Sequence, residues 1–380
     1  MSTKLPIIYM RGGTSKGAYI DVADLPTDPA ERDAVILKLY GSPDARQIDG
    51  VGGADPLTSK VALIEKSDRD DADVNYTFGY VGVADPVVDY EGNCGNISSG
   101  VGIFAIMRGM VEPQPNKTVV RIFNTNTSKV IEAHIPMTED GKVITEGDFA
   151  IDGVPGTGAR IPLFFMEPAG SKTGKLLPTG NVTDQMTLND GRTITVSYVD
   201  AANPGVFVKA EDLGYKGTEM PADTEADGGK MLALWEEIRR KGAVAMGLSK
   251  TEESASSAVP KLCMVSKPQD YTALDGRHIK AENVDIVART KALAVMHKAY
   301  AVTSGICTAV ASLIPGTVAN DVVSQRAKDT HCVTLAHPGG MLDFEVDLVE
   351  ENGSLHLRKA GVARTARPIM EGIAYIREGK

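Results

Sequence analysis

Short apolar and β-branched runs, broken every few positions by Gly, Pro, Asn and Asp, restrict this chain more than any other feature. Candidate strands are Leu5–Met10, Ala18–Val22, Lys60–Glu65, Asn75–Val83, Thr118–Asn124, Lys129–Pro136, Thr193–Val199, Val206–Lys209, Lys261–Val265, Thr330–His337, Met341–Val349 and Ser354–Leu357. So many strands with turn punctuation point to barrels or sandwiches. Helical patterns are few. One is Ala30–Tyr40. Another is Gly229–Lys241, whose Met231, Leu234, Trp235 and Ile238 fall on one core-facing stripe. Two more, Ser98–Met107 and Ser304–Ile314, are apolar on nearly every face, and a short helix of that kind is buried.

The two apolar helices look like an internal repeat. Ser98-Ser99-Gly100-Val101-Gly102 aligns with Thr303-Ser304-Gly305-Ile306-Cys307, roughly half a chain apart. A chain of 380 residues is long for one core and fits two domains. The expected organisation is an α+β protein of two similar strand-rich domains, 1–184 and 185–380, each wrapped around one buried helix. The boundary is expected in the polar stretch Ser171–Gln185, and the last residues can return to the first domain. A chain built this way usually places its site between the halves.

Charge and composition exclude several functions. The chain carries 40 Lys plus Arg against 50 Asp plus Glu, a net charge of -10. Nucleic-acid binding needs a basic face and is not expected. Nor is a membrane span, which needs roughly 20 apolar residues in a row. The N-terminus has no signal-peptide layout. Cys94, Cys263, Cys307 and Cys332 are dispersed without a C-x-x-C, so a reducing cytoplasm is the expected setting. Cys263, Cys307 and Cys332 read as structural core residues. The histidines form no H-x-x-x-H pair, and no metal is expected.

Four segments set Gly, Asn, Ser and Thr beside a reactive group. In Met10-Arg11-Gly12-Gly13-Thr14-Ser15-Lys16-Gly17, Arg11 can grip a carboxylate and Thr14 and Ser15 can donate. The spacing is not that of a phosphate loop. In Gly52–Lys60, a glycine-rich loop delivers Lys60 to the start of an apolar strand. A lysine desolvated there becomes a usable general base. In Gly92-Asn93-Cys94-Gly95-Asn96, Cys94 stands just before the helix from Ser98. A helix start stabilises a thiolate and also binds carboxylates. The fourth segment, Thr303-Ser304-Gly305, opens the second apolar helix and follows His297 and Lys298. Convergence of the two helix starts would supply the local positive potential that a polyanionic substrate needs on an acidic protein. His337–Gly340 and Arg364–Arg367 are weaker candidates, equally readable as turn and surface.

MRGGTSKG, GGADPLTSK, GNCGNISSGVG, MHKAYAVTSGIC and ARTARPIMEG together resemble the family of 2-methylaconitate isomerases. That family includes 4-oxalomesaconate tautomerases and 3-methylitaconate delta-isomerases. The resemblance spans residues 8 to 376. It implies a diaminopimelate-epimerase-like fold, two pseudo-symmetric strand barrels each around a central helix, with no cofactor or metal. It also implies a 1,3-allylic proton shift or tautomerisation on an unsaturated di- or tricarboxylic acid. The family's lysine and cysteine match Lys60 and Cys94, and its serine matches Ser15. Lys60 and Cys94 are the expected catalytic pair. Arg11, Thr14, Ser15, Asn93, Gly95, Asn96, Ser98, His297, Lys298, Thr303, Ser304 and Gly305 are the expected substrate-binding residues. Two rival readings are a cofactor-independent racemase or epimerase, and a non-catalytic tricarboxylate-binding accessory protein. The repeat sets Ala299 opposite Cys94, so the second cysteine of a racemase is missing. The expected partner is a small unsaturated polycarboxylate, and a homodimer is the ordinary expectation for assembly.

Overall fold

Every expected strand forms, most with ends within a few residues of those expected; Lys117–Asn124 alternates buried and less buried side chains, whereas Lys60–Lys66, Asn203–Lys209 and Lys261–Ser266 are buried through runs of four or more residues. The computed structural model describes residues 3–90, 93–256, 259–292, 295–351 and 353–377. The fold is mixed α+β, rich in strands and poor in helix. Two compact units divide the chain: residues 1–166 with 363–380, and residues 167–362.

In the first unit, β1 (Thr3–Gly12) pairs antiparallel with the closing strand Ala366–Ile376 on one side and with β2 (Ser15–Asp21) on the other. The ladder continues parallel to β3 (Lys60–Lys66), antiparallel to β4 (Val74–Val81), then parallel to the strand Lys117–Asn124. Antiparallel pairings to Lys129–Pro136 and Ile161–Met166 finish it. Helix α1 (Pro29–Tyr40) starts at Asp28, whose carboxylate accepts from the Ala30 and Glu31 N–H groups, and stops at Gly41 in the left-handed conformation. Helix α2 (Gly95–Met107) is buried over most of its length. It packs against β1, β2, β3, β4, Lys117–Asn124 and Lys129–Pro136, so the sheet wraps the helix.

The second unit has its own ladder. Asp184–Thr187, Thr193–Ala201 and Asn203–Lys209 pair antiparallel in turn. Lys261–Ser266 joins parallel, Ile286–Ala292 antiparallel and Cys332–His337 parallel. Gly340–Glu351 and Ser354–Arg364 close it antiparallel. The helix Val302–Leu313 is buried against these strands. The helix Lys230–Ala245 lays Met231, Trp235 and Ile238 on the hydrophobic side of Val196, Val206 and Leu262, as its stripe predicts.

The polar stretch 171–185 lies within the second unit, because Asp200 organises its first turns. That carboxylate is fully buried and accepts from the Lys172 and Thr173 N–H groups at 2.8 Å each. Strands Ile161–Met166, Asp184–Thr187, Ile286–Ala292 and Ala366–Ile376 went unread in the sequence. One expectation is corrected: Cys332 is exposed, while Cys263 and Cys307 are buried. Cys332 is the first residue of its strand and falls on the outward face of the pleat, with Val333 and Leu335 turned in. No described helix is long and apolar enough to cross a membrane.

Candidate active site

Tight backbone contacts in the first unit bring three of the four segments together. Cys94 is the N-cap of α2 and makes no side-chain capping bond. The Ser98 N–H closes onto the Cys94 carbonyl at 3.0 Å, so the Gly95, Asn96 and Ile97 N–H groups precede the first helical bond. Their partial positive charge lies at the thiol, which is itself largely buried. Lys60, half-buried, begins β3. Its Nζ donates to the Ser15 hydroxyl at 2.9 Å and to the Cys94 sulfur at 3.4 Å. A hydroxyl, an amine and a thiol from three separate segments thus meet at one point.

Glycine makes this approach feasible. A side chain at Gly17 would put its Cβ 1.8 Å from the Lys60 carbonyl oxygen. Gly13 turns the chain with φ +51, and a Cβ there would strike the Asn96 amide oxygen at 2.1 Å. Asn96 in turn donates from Nδ2 to the Thr14 hydroxyl at 3.1 Å. Its Oδ1 is buried with no protein partner. Arg11 donates to the Gly13 and Thr365 carbonyls, both at 2.9 Å, so it braces the turn. Partial burial and the neighbouring Arg367 pull the Arg11 pKa below its ordinary value. Ser98 is buried and donates to the Cys94 carbonyl at 3.0 Å. Asn93 accepts a long contact from Asn124 at 3.4 Å. Gly92 lies outside the described residues.

The remaining predicted residues form a second group in the second unit. Thr303, Ser304 and Gly305 lie in the first turn of the helix Val302–Leu313, whose N-cap is Ala301. The buried Ser304 hydroxyl accepts from Asn203 at 3.2 Å. His297 accepts the Ala299 N–H at Nδ1, 2.9 Å away, and burial lowers its pKa so that the neutral ring is favoured. Lys298 is exposed.

Several supports of the Lys60–Cys94 pair went unread in the sequence. Tyr40 donates to the Lys60 carbonyl and accepts from the Ala18 N–H. Tyr19, fully buried, donates to the Ile97 carbonyl in the first turn of α2 at 2.6 Å. Gln47 is buried beneath the Gly52–Lys60 loop, donating to Ser59 at 2.7 Å and accepting from the Ala54 N–H at 2.9 Å. The only sequence signal for these three was a polar or aromatic residue in an otherwise ordinary setting.

Known proteins resemble the chain over nearly its whole length. The PrpF protein family matches residues 2–377. The 3-methylitaconate isomerase of Eubacterium barkeri is 47% identical over 381 residues, covering 99% of this chain and 98% of that protein. The 2-methyl-aconitate isomerase of Shewanella oneidensis is 39% identical over 389 residues, covering 98% and 97%. A crystal structure of methylitaconate-delta-isomerase superposes with a TM-score of 0.90 at 46% identity, over 99% of this chain and 96% of that one. With agreement along nearly its full length, the chain belongs to the PrpF protein family and is an isomerase.

Proposed function

We infer that the chain catalyses a 1,3-allylic proton shift or tautomerisation on an unsaturated di- or tricarboxylic acid, with Lys60 and Cys94 handling the protons. The observation that carries this reading is the Lys60 side-chain nitrogen held between the Ser15 hydroxyl and the Cys94 sulfur. Lys60, as free amine, takes the proton from the carbon activated by a neighbouring carboxylate or keto acid. The electron pair shifts into a dienolate, and the Cys94 thiol returns a proton two carbons away. Lys60 is then an ammonium and Cys94 a thiolate. Their 3.4 Å contact lets one proton pass from nitrogen to sulfur and reset both groups. Such a carbon acid is weak, so much of the barrier reduction falls to groups that stabilise the enolate. The α2 N–H groups, the Thr14 and Ser15 hydroxyls and Arg11 are suited to that.

We also read the two units as copies of one plan, the diaminopimelate-epimerase-like arrangement of two strand barrels. The order of pairings supports it. Each ladder runs antiparallel, antiparallel, parallel, antiparallel, parallel, antiparallel, antiparallel, and each packs against one buried helix.

The test is incubation of methylaconitate, oxalomesaconate and methylitaconate with the enzyme in D2O, read by NMR. One acid should isomerise with deuterium entering at the allylic carbon. Lys60→Ala should abolish both isomerisation and exchange. Binding without exchange for all three acids would instead support an accessory carboxylate-binding protein and overturn the catalytic reading.

A further inference from the structure

In the second unit, Asn203–Lys209 and Lys261–Ser266 pair parallel, with Lys209 opposite Val265 in their last pair. The chain crosses back between them through the helix Lys230–Ala245, so both strands end at the same margin of the sheet. Beyond their carboxyl ends the backbone parts into two segments, 210–216 and 267–269. Both segments line a cavity of about 420 Å³. The space beyond the carboxyl ends of helix-connected parallel strands is where such sheets bind ligands, and the volume lies in the range of small-molecule sites. None of the lining residues belongs to the Lys60–Cys94 cluster.

Hydrogen bonds fix the two walls against each other. Gln269 donates from Nε2 to the Lys216 carbonyl at 2.7 Å and to the Ser266 hydroxyl at 3.0 Å. Gly217 turns with φ +95, and a Cβ there would lie 2.2 Å from the Ser266 hydroxyl oxygen, so the turn closes onto the strand end. The lining joins two chemistries. Tyr215, Pro268 and Val322 supply apolar surface, while Lys209, Lys216 and Lys267 stand against one lining carboxylate, Glu211. Lys209 is ion-paired with Asp321 at 3.0 Å. Among the described residues, Lys216 and Lys267 have no ion pair. On a chain of net charge -10, this cavity is a local centre of positive potential.

We propose that this cavity binds a small organic dianion, two negative charges on a short apolar body. The body covers Tyr215, Pro268 and Val322, and the charges meet Lys216 on one wall and Lys267 on the other. A bare inorganic anion would leave the apolar lining in water. A neutral molecule would leave both lysines without a counter-charge, and a cation would be repelled by them. Dicarboxylates and phosphate monoesters share the required chemistry.

Amide NMR of the full chain, titrated with glutarate and separately with phenyl phosphate, tests this. A dianion that binds should shift the amides of 209–217 and 266–270 and saturate them, a readout that requires no variant to fold. Tighter binding of glutarate assigns the site to dicarboxylates, and tighter binding of phenyl phosphate assigns it to phosphate monoesters. Glutaramide, which keeps the body without the charges, should bind more weakly than glutarate. Inorganic phosphate, which lacks the body, should bind more weakly than phenyl phosphate. Lys216→Gln and Lys267→Gln should each raise the dissociation constant about threefold, the scale of a solvent-exposed ion pair. No shift in these two segments with either dianion, equal binding of the neutral or the bare probe, or indifference to both lysine substitutions would each overturn the proposal.

Discussion

Two buried helices begin in very different chemistry. Helix α2 starts at Cys94, whose sulfur meets the Lys60 Nζ at 3.4 Å. The helix Val302–Leu313 starts at Ala301, and its nearest thiol, Cys307, lies further along the helix and donates to the Val199 carbonyl at 3.3 Å. Both thiols are buried, so burial does not separate them. What separates them is the partner: a titratable amine in one case, a backbone carbonyl in the other. A thiol bonded to a carbonyl is packing, whereas a thiol beside an amine at a helix start can exchange a proton. This asymmetry favours an allylic isomerase over a racemase with two opposed cysteines.

Replacing each thiol in turn is the strongest way to break the comparison. Cys94→Ala should lower kcat/KM by roughly 100- to 10,000-fold, the usual cost of losing a proton-transfer group. Cys307→Ala should keep kcat/KM within a few-fold and show its cost in the melting temperature. Steady-state kinetics beside thermal melts separates the two. Equal losses of activity would mean that both helix starts take part in the chemistry.

Glycines sharpen the same contrast. At Gly17 an added Cβ lies 1.8 Å from the Lys60 carbonyl oxygen, and at Gly305 it lies 2.2 Å from the Phe344 ring. Gly17→Ala must push the backbone that carries Lys60, so its activity should fall further than its stability explains. Gly305→Ala must shift a core ring, an overpacking cost of about 1–3 kcal/mol. Urea denaturation and kcat/KM on the folded fraction give the two readouts. A Gly17→Ala enzyme with normal kcat/KM would show that the position of Lys60 is not set by this contact.

The Lys60–Cys94 contact and both buried helices were legible in the sequence because each leaves a local mark. Cys94 between asparagines and glycines is unusual, and an all-apolar helix has only one place to go. Supporting residues leave no such mark. Gln47 acts on Ser59 across 12 positions, and Tyr40 reaches Lys60 across 20, so their roles exist only after folding. The closing strand hid for a different reason. Its run mixes Arg367, Pro368 and Glu371 with exposed apolar residues, and only Ala366 and Ile376 are buried, so no hydrophobic alternation stands out in the sequence. Cys332 misled because apolar neighbours say which residues alternate, not which face the first residue takes.

The smallest expected effect concerns pH. Burial raises the pKa of both Cys263 and Cys307 in the second unit. A thiol is neutral when protonated, so the folded state holds these protons while the unfolded chain releases them from roughly pH 8.5 upward. Above that point the unfolded state binds fewer protons, and stability falls as pH rises. The limiting slope is about 1.4 kcal/mol per pH unit for each thiol held protonated in the fold. Urea denaturation under reducing conditions between pH 8 and 9.5 stays below the ordinary tyrosine range and isolates this effect. The double variant Cys263→Ala, Cys307→Ala should flatten the decline, while Cys332→Ala, at an exposed position, should leave it unchanged. A decline of equal slope in all three proteins would assign the alkaline loss to other groups. The contrast between the two helix starts would then rest on the Lys60–Cys94 contact alone.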